Sequence, residues 1–325
     1  MTIHVCVPDD YQCVTVNIPC LQDSGNYHFS VLDDLNHDPR AAHVLPTAQA
    51  LILIRERTQV DAAFLQTMPQ LRLISQTGKV ARNIDIDACT RAGVAVVEGV
   101  GSPVAPAELT WLLIMASRRK FIAAVDAMRA GQWQAELGRC VHKQSLGILG
   151  YGKIGKLIAS YAKAFGMQVQ VWGSERAQEE ARQDGFAVPT SRECFFATSD
   201  VVTIHQRLVA ATEANITLAD LSLMKTDALF VNTSRAELVA PGALYKALQS
   251  GRPGFAALDV FEQEPVYDPT HPLLQLPNVL CTPHLGYVEQ ESYTLYFETA
   301  FRNIERFFAG DMTQVINPAA IHQHQ

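Results

Sequence analysis

Apolar and polar positions along the chain alternate in two series. Strand candidates of four or five residues, rich in apolar positions, recur at 3–7, 28–32, 51–54, 71–75 and 94–97, separated by segments long enough for helices. Strands alternating with helical stretches predict βα units and a parallel sheet. A second series follows at 146–149, 168–172, 201–205, 229–232, 256–259 and 279–282. Six such strands suit a doubly wound parallel sheet, which takes its ligands at the carboxyl ends of the strands. Between the series, Ser102-Pro103 supplies a capping hydroxyl and an early proline, and predicts one apolar helix over about 104–128. Near the end, Tyr293, Phe297, Ala300, Ile304, Phe307 and Phe308 share one helical face, and Gly310 supplies a stop. That helix is expected to return to the first domain.

Composition turns this pattern into a domain count. A chain of 325 residues exceeds what one hydrophobic core usually supports, and an apolar share of 48% supplies two. The net charge of −7 is scattered and no basic run marks a nucleic-acid footprint, so the expected partner is a small molecule. Seven cysteines stand far apart without a Cys-x-x-Cys pair, which argues for free thiols in a reducing compartment. The opening Met1-Thr2-Ile3-His4-Val5 lacks the marks of a secretory leader, and the greasiest helix candidate, 107–116, carries Glu108 and is too short for a bilayer. A cytoplasmic protein without membrane or metal partners is expected.

The second series opens on a glycine turn. Gly150-Tyr151-Gly152-Lys153-Ile154-Gly155 follows a strand and precedes a stretch in which Ile154, Leu157, Ile158, Tyr161, Ala162 and Phe165 recur at helical spacing. In that context the first glycine permits a tight turn and the second lets the backbone approach a pyrophosphate. The third lets helix and strand pack closely. The phosphates then face a helix N-terminus, where unpaired N–H groups and the dipole favour anions.

Four polar residues stand beyond the late strands: Arg235 in Asn232-Thr233-Ser234-Arg235, Asp259 and Glu264 in Asp259-Val260-Phe261-Glu262-Gln263-Glu264-Pro265, and His284 in Thr282-Pro283-His284. In this order the segments resemble the D-isomer-specific 2-hydroxyacid dehydrogenase family, and the resemblance runs over nearly the whole chain. It implies hydride transfer between a nicotinamide coenzyme and a small 2-oxo or 2-hydroxy acid. Such a reaction needs an acid with a pKa near neutrality, which suits His284. Glu264 is then the carboxylate that orients the imidazole. Arg235 offers a planar fork to the substrate carboxylate, and Asp259 lies near the nicotinamide. Lys153, Ile154, Gly173, Ser174 and Thr233 complete the expected coenzyme contacts. In the first domain, Arg55 of Arg55-Glu56-Arg57-Thr58 and the loop Gly78-Lys79-Val80 resemble the family's substrate segments. Lys79 is unusual there and hints at a further anionic group on the substrate.

Departures from the family concern mainly the coenzyme. Gly173 stands where NAD-preferring members carry an acid, so NADP stays open beside NAD; Ser174, Arg176 and Arg207 are candidate phosphate contacts and Glu175 opposes one. Tyr287 either packs beside His284 or turns its hydroxyl to the substrate. The expected architecture is α/β: a Rossmann-type doubly wound parallel sheet, residues 101–290, inserted in a flavodoxin-like discontinuous substrate or lid domain, residues 1–100 plus 291–325. The resemblance adds a homodimer formed through the coenzyme domains. Its rivals are an NADP-preferring glyoxylate or hydroxypyruvate reductase and a corepressor-like protein that senses the dinucleotide without turnover.

Overall fold

A computed structural model describes residues 2–22 and 24–324, with side chains as far as 321. The chain divides into two compact units, residues 1–102 with 289–325, and residues 103–288.

In the first unit, strands β1 (Ile3–Val7), β2 (Tyr27–Val31), β3 (Ala50–Leu53), β4 (Leu73–Gln76) and β5 (Ala95–Glu98) form one parallel sheet in the order β2-β1-β3-β4-β5. This is the flavodoxin-like order. Ala50, Leu51, Ile52 and Leu53 of β3 are all fully buried, which explains why that central run is continuously apolar. The helix Gln290–Phe308 returns to this sheet, and the Ser75 hydroxyl donates to the Ala300 carbonyl at 3.0 Å. Tyr293, Phe297, Ala300, Ile304 and Phe307 are buried. Gly310 turns the chain beyond the helix with a φ of +93°.

In the second unit, β6 (Ser145–Leu149), β7 (Gln168–Trp172), β8 (Val201–Ile204), β9 (Leu229–Asn232), β10 (Phe255–Leu258) and β11 (Val279–Cys281) lie in the order β11-β10-β9-β8-β6-β7, all parallel. A single parallel bridge between Gln170 and Ala187 adds a vestigial strand outside β7. With that bridge counted third along the chain, the order becomes the Rossmann one. One core packs Ile158, Ala159, Ala162, Leu113 and Ile114 over Leu146, Ile148 and Val171; the other gathers Phe195, Phe196, Ile204, Phe230 and Leu244. Each fully buried ring, such as Phe230, contributes about 1.5–3 kcal/mol.

Two helical expectations need correction. The stretch expected as one helix is two, Val104–Arg118 and Phe121–Arg129, separated by Lys120 at a φ of +48°. Arg118 is the last residue of the first helix. Its buried guanidinium donates to Gln144 Oε1 and to the Asp227 carbonyl, and its own carbonyl accepts from Arg139 N at 2.7 Å. Phe165, expected on the apolar face after the glycine turn, lies beyond the helix Lys153–Ala164 and is 47% exposed.

Candidate active site

The glycine turn is built from three different constraints. Gly150 leaves β6 at a φ of +97°, and a Cβ there would stand 2.8 Å from the His205 carbonyl. At Gly155 a Cβ would lie 2.5 Å from the Gly150 oxygen, so the helix Lys153–Ala164 can approach the strand only without a side chain. Gly152 differs: no heavy atom lies within 4 Å of where its Cβ would be. It is the helix N-cap, has no side chain to offer the first turn, and is exposed together with Lys153. An open glycine face on a helix N-terminus fits a pyrophosphate.

At the end of β7, Ser174 caps the helix Glu175–Gln183 by accepting from Ala177 N at 3.3 Å, and the Gly173 carbonyl accepts from Gln178 Nε2 at 2.9 Å. Arg176 pairs with Glu180 at 2.7 Å, and Lys156 reaches the same carboxylate at 2.9 Å. Arg207 is exposed. Beside Gly150 lies a residue that sequence reasoning passed over. The His205 imidazole is hydrogen-bonded through Nε2 to Thr203 Oγ1 at 2.9 Å, and burial pushes its pKa down to about 3. It is therefore neutral; only its place at the end of β8 signalled it.

Register brings the late polar residues together. Leu258 pairs with Asn232 on one side and Cys281 on the other, so β9, β10 and β11 end level and release their loops at one rim. Asn232 clasps the first loop, accepting from Ser234 N at 3.0 Å and donating to the Arg235 carbonyl at 2.9 Å. Within that loop Arg235 Nη1 donates to the Ser234 carbonyl at 2.6 Å, and Thr233 donates to Thr110 Oγ1 at 2.7 Å, whose proton goes to the Pro106 carbonyl.

On the third loop, His284 has a φ of +52°, uncommon for a residue with a side chain. Asp259 holds it there. Its Oδ1 accepts from Thr282 Oγ1 at 2.6 Å and Leu285 N at 2.7 Å, and its Oδ2 accepts from Gly286 N at 2.9 Å. Both oxygens serve the loop and the side chain has no exposed surface. Burial raises the Asp259 pKa, against these hydrogen bonds and the His284 charge.

Glu264 completes the arrangement. Its Oε2 lies 2.6 Å from His284 Nδ1 and its Oε1 accepts from Phe261 N at 2.8 Å. Burial raises the Glu264 pKa. The His284 hydrogen bond and charge, the Phe261 amide and the Arg235 charge outweigh it and hold the carboxyl below its ordinary value. A carboxylate only accepts, so the Nδ1 proton points at Glu264 and leaves Nε2 for chemistry. Tyr287 is buried, its ring edge-on to the imidazole with centroids 5.3 Å apart.

In the first unit, Arg55 leaves β3 at a φ of +54° with its amide donating to Thr77 Oγ1 at 2.8 Å. A Cβ on Gly78 would collide with Arg55 Nη1, so guanidinium and loop backbone lie in direct contact. Arg57 is structural, donating to the Asp9 carbonyl at 2.7 Å and the Tyr293 hydroxyl at 2.8 Å. The Lys79 ammonium is 2.6 Å from Glu98, whose other oxygen accepts from Val80 N at 2.9 Å. Among the described residues no helix is long and apolar enough to cross a membrane, and no group of side chains could hold a metal.

The chain is similar to proteins of one enzyme family. The profile of the D-isomer specific 2-hydroxyacid dehydrogenase NAD binding domain matches residues 111–286. The glyoxylate reductase of Aeropyrum pernix is 36% identical over 262 residues, 78% of each chain. The glyoxylate/hydroxypyruvate reductase B of Cronobacter sakazakii is 32% identical over 90% of this chain and 93% of its own. A crystal structure of a phosphoglycerate oxidoreductase from Vibrio cholerae superposes with a TM-score of 0.90 at 45% identity, covering 95% of this chain and 99% of that one. The chain spans about half the length of the D-3-phosphoglycerate dehydrogenases it matches. With profile and full-length relatives in agreement, the chain belongs to the D-isomer specific 2-hydroxyacid dehydrogenase family and is an NAD-dependent oxidoreductase.

Proposed function

We propose that the protein interconverts a small 2-oxo acid of the glyoxylate or hydroxypyruvate type and its D-2-hydroxy acid, with His284 as acid and base. The observation that carries this is the 2.6 Å contact between His284 Nδ1 and Glu264, which commits one ring nitrogen and leaves the other for the substrate oxygen. NAD, held at Gly150, Gly152, Lys153, Ile154 and Gly155 and flanked by Gly173, Ser174 and Thr233, supplies or accepts the hydride when bound.

The protein's own residues do the rest. Arg235 binds the substrate carboxylate and opposes the charge that grows on the carbonyl oxygen, a task suited to a rigid guanidinium fork. His284 Nε2 delivers the proton to that oxygen in reduction and removes it in oxidation, a contribution of about 10²–10⁴-fold. Glu264 stabilises the imidazolium, and Asp259 acts as a positioning residue for its loop. Arg55 and the backbone of Gly78-Lys79 receive the carboxylate in the first unit. Glu175, in the first turn of the helix that follows β7, with Arg176 already on Glu180, favours NADH over NADPH.

We also assign the protein to the cytoplasm as a homodimer. The segment that would form the dimer exposes Phe121 at 57%, Met128 at 66%, Trp133 at 78% and Leu137 at 89%, more apolar surface than an isolated chain usually leaves in water.

Absorbance loss from NADH and from NADPH against glyoxylate, hydroxypyruvate, pyruvate and bulkier 2-oxo acids tests the reading. Turnover with NADH and a small 2-oxo acid is expected. Tight coenzyme binding without turnover of any of them would leave a dinucleotide sensor instead.

A further inference from the structure

The two first-unit loops assigned to the substrate carboxylate are joined by a buried pair of amides. Gln76, the last residue of β4, has no exposed surface, and Asn83 is 4% exposed. Gln76 Nε2 donates to the Lys79 carbonyl at 2.8 Å, and Gln76 Oε1 accepts from Asn83 Nδ2 at 2.9 Å. The same Asn83 nitrogen reaches the Thr58 carbonyl at 3.2 Å and the Arg55 carbonyl at 3.5 Å. One short relay therefore ties the loop of Arg55 to the loop of Gly78 and Lys79.

The direction of the relay is determined by its ends. Every group facing Asn83 Nδ2 is an acceptor, so the amide cannot be turned over without setting oxygen against oxygen. The Lys79 carbonyl likewise demands the nitrogen of Gln76. As a consequence Asn83 Oδ1 is buried with no hydrogen-bond partner among the described residues. A buried acceptor without a donor is costly. Its presence marks an arrangement in which placing the two loops outweighs satisfying every atom. The placement is a tight one, because the Arg55 guanidinium lies against the bare backbone of Gly78.

We propose that Gln76 and Asn83 are positioning residues for substrate recognition, holding Arg55 and the Gly78-Lys79 amides in one fixed spacing. The inference rests on the reading that these loops take the substrate carboxylate. Neither residue belongs to the coenzyme turn or to the His284 constellation, so the effect falls on substrate affinity. Loosening a preorganised anion site by a fraction of an ångström weakens binding without altering the proton transfer.

Steady-state kinetics with glyoxylate and NADH on the full chain test it. Asn83→Ala should raise KM for glyoxylate roughly 10-fold, while kcat and the KM for NADH stay within about twofold. Gln76→Glu, nearly isosteric, keeps the acceptor for Asn83 but loses the donor to Lys79. Its KM relative to wild type should be high near about pH 8 and fall towards about pH 5.5 as the buried carboxyl takes up a proton and donates again. Gln76→Leu should show a ratio flat with pH. An unchanged glyoxylate KM in folded Asn83→Ala, or a parallel rise in the KM for NADH, would overturn the proposal. If Asn83→Ala does not fold, the pH dependence of Gln76→Glu decides. Wild-type protein that turns over no 2-oxo acid would overturn the functional reading itself and this inference with it.

Discussion

His284 Nδ1 and Glu264 Oε2 meet at 2.6 Å across 20 residues of chain, and the histidine reaches that position from a left-handed backbone conformation that Asp259 holds in place. Removing the ring should therefore remove the chemistry and little else. His284→Ala is expected to lower kcat by about 10²–10⁴-fold with NADH affinity nearly unchanged. Single-turnover reduction at saturating NADH measures it, and a wild-type rate would remove His284 as the acid.

The Glu264 carboxyl sits below the ordinary value of 4.5 because, against the upward push of burial, His284, the Phe261 amide and Arg235 together favour its charged form. For an acid with a depressed folded pKa, the stabilisation is present above the unfolded value and disappears as pH falls through the folded one. Glu264→Gln should accordingly be less stable than wild type at neutral pH, with the gap closing below 4.5. Urea unfolding across that range reports it; a gap as wide in acid as at neutrality would contradict the assignment.

Arg235 Nη1 already donates to its own loop at Ser234, so the rest of the fork is presented in a fixed orientation. An ammonium cannot reproduce two parallel donors. Arg235→Lys should lose roughly 10²-fold in kcat/KM for the 2-oxo acid. Full activity in that variant would show that a point charge suffices there.

The three glycines of the turn predict three different phenotypes. Gly155→Ala drives a Cβ to 2.5 Å from the Gly150 oxygen and should unfold the second unit at lower temperature. Gly152→Ala meets no protein atom within 4 Å and should keep the wild-type Tm. It should instead bind NADH at least about 10-fold more weakly, because the methyl would occupy the open face proposed to take the pyrophosphate. Thermal unfolding and fluorescence titration separate the two, and equal coenzyme affinity in Gly152→Ala would move the phosphates elsewhere.

Trp133 and Leu137 are 78% and 89% exposed and lie in the segment proposed to form the homodimer. Leu137→Asp should shift a sedimenting dimer to monomer. An unchanged sedimentation coefficient would place the interface on another face.

Much of this protein is written locally. Runs such as 146–149 and 229–231 show strands because short buried apolar runs have few other uses, and the spacing of Gly150, Gly152 and Gly155 encodes a turn whose constraints act within six residues. The segments of Arg235, Glu264 and His284 were legible through their resemblance to the motifs of a known family.

Tertiary structure decided which groups meet. Only the parallel register of β9, β10 and β11 levels three loops at one rim. Contacts made there turn Asp259 inward onto Leu285 and Gly286, and in the first unit Lys79 pairs with Glu98 and Gln76 with Asn83. The buried partners of Arg118 at Gln144 and Asp227 belong to the same class. Apolar spacing and glycine placement report backbone geometry over a few residues, whereas a side chain's hydrogen-bond partner depends on what the fold brings beside it from far along the chain.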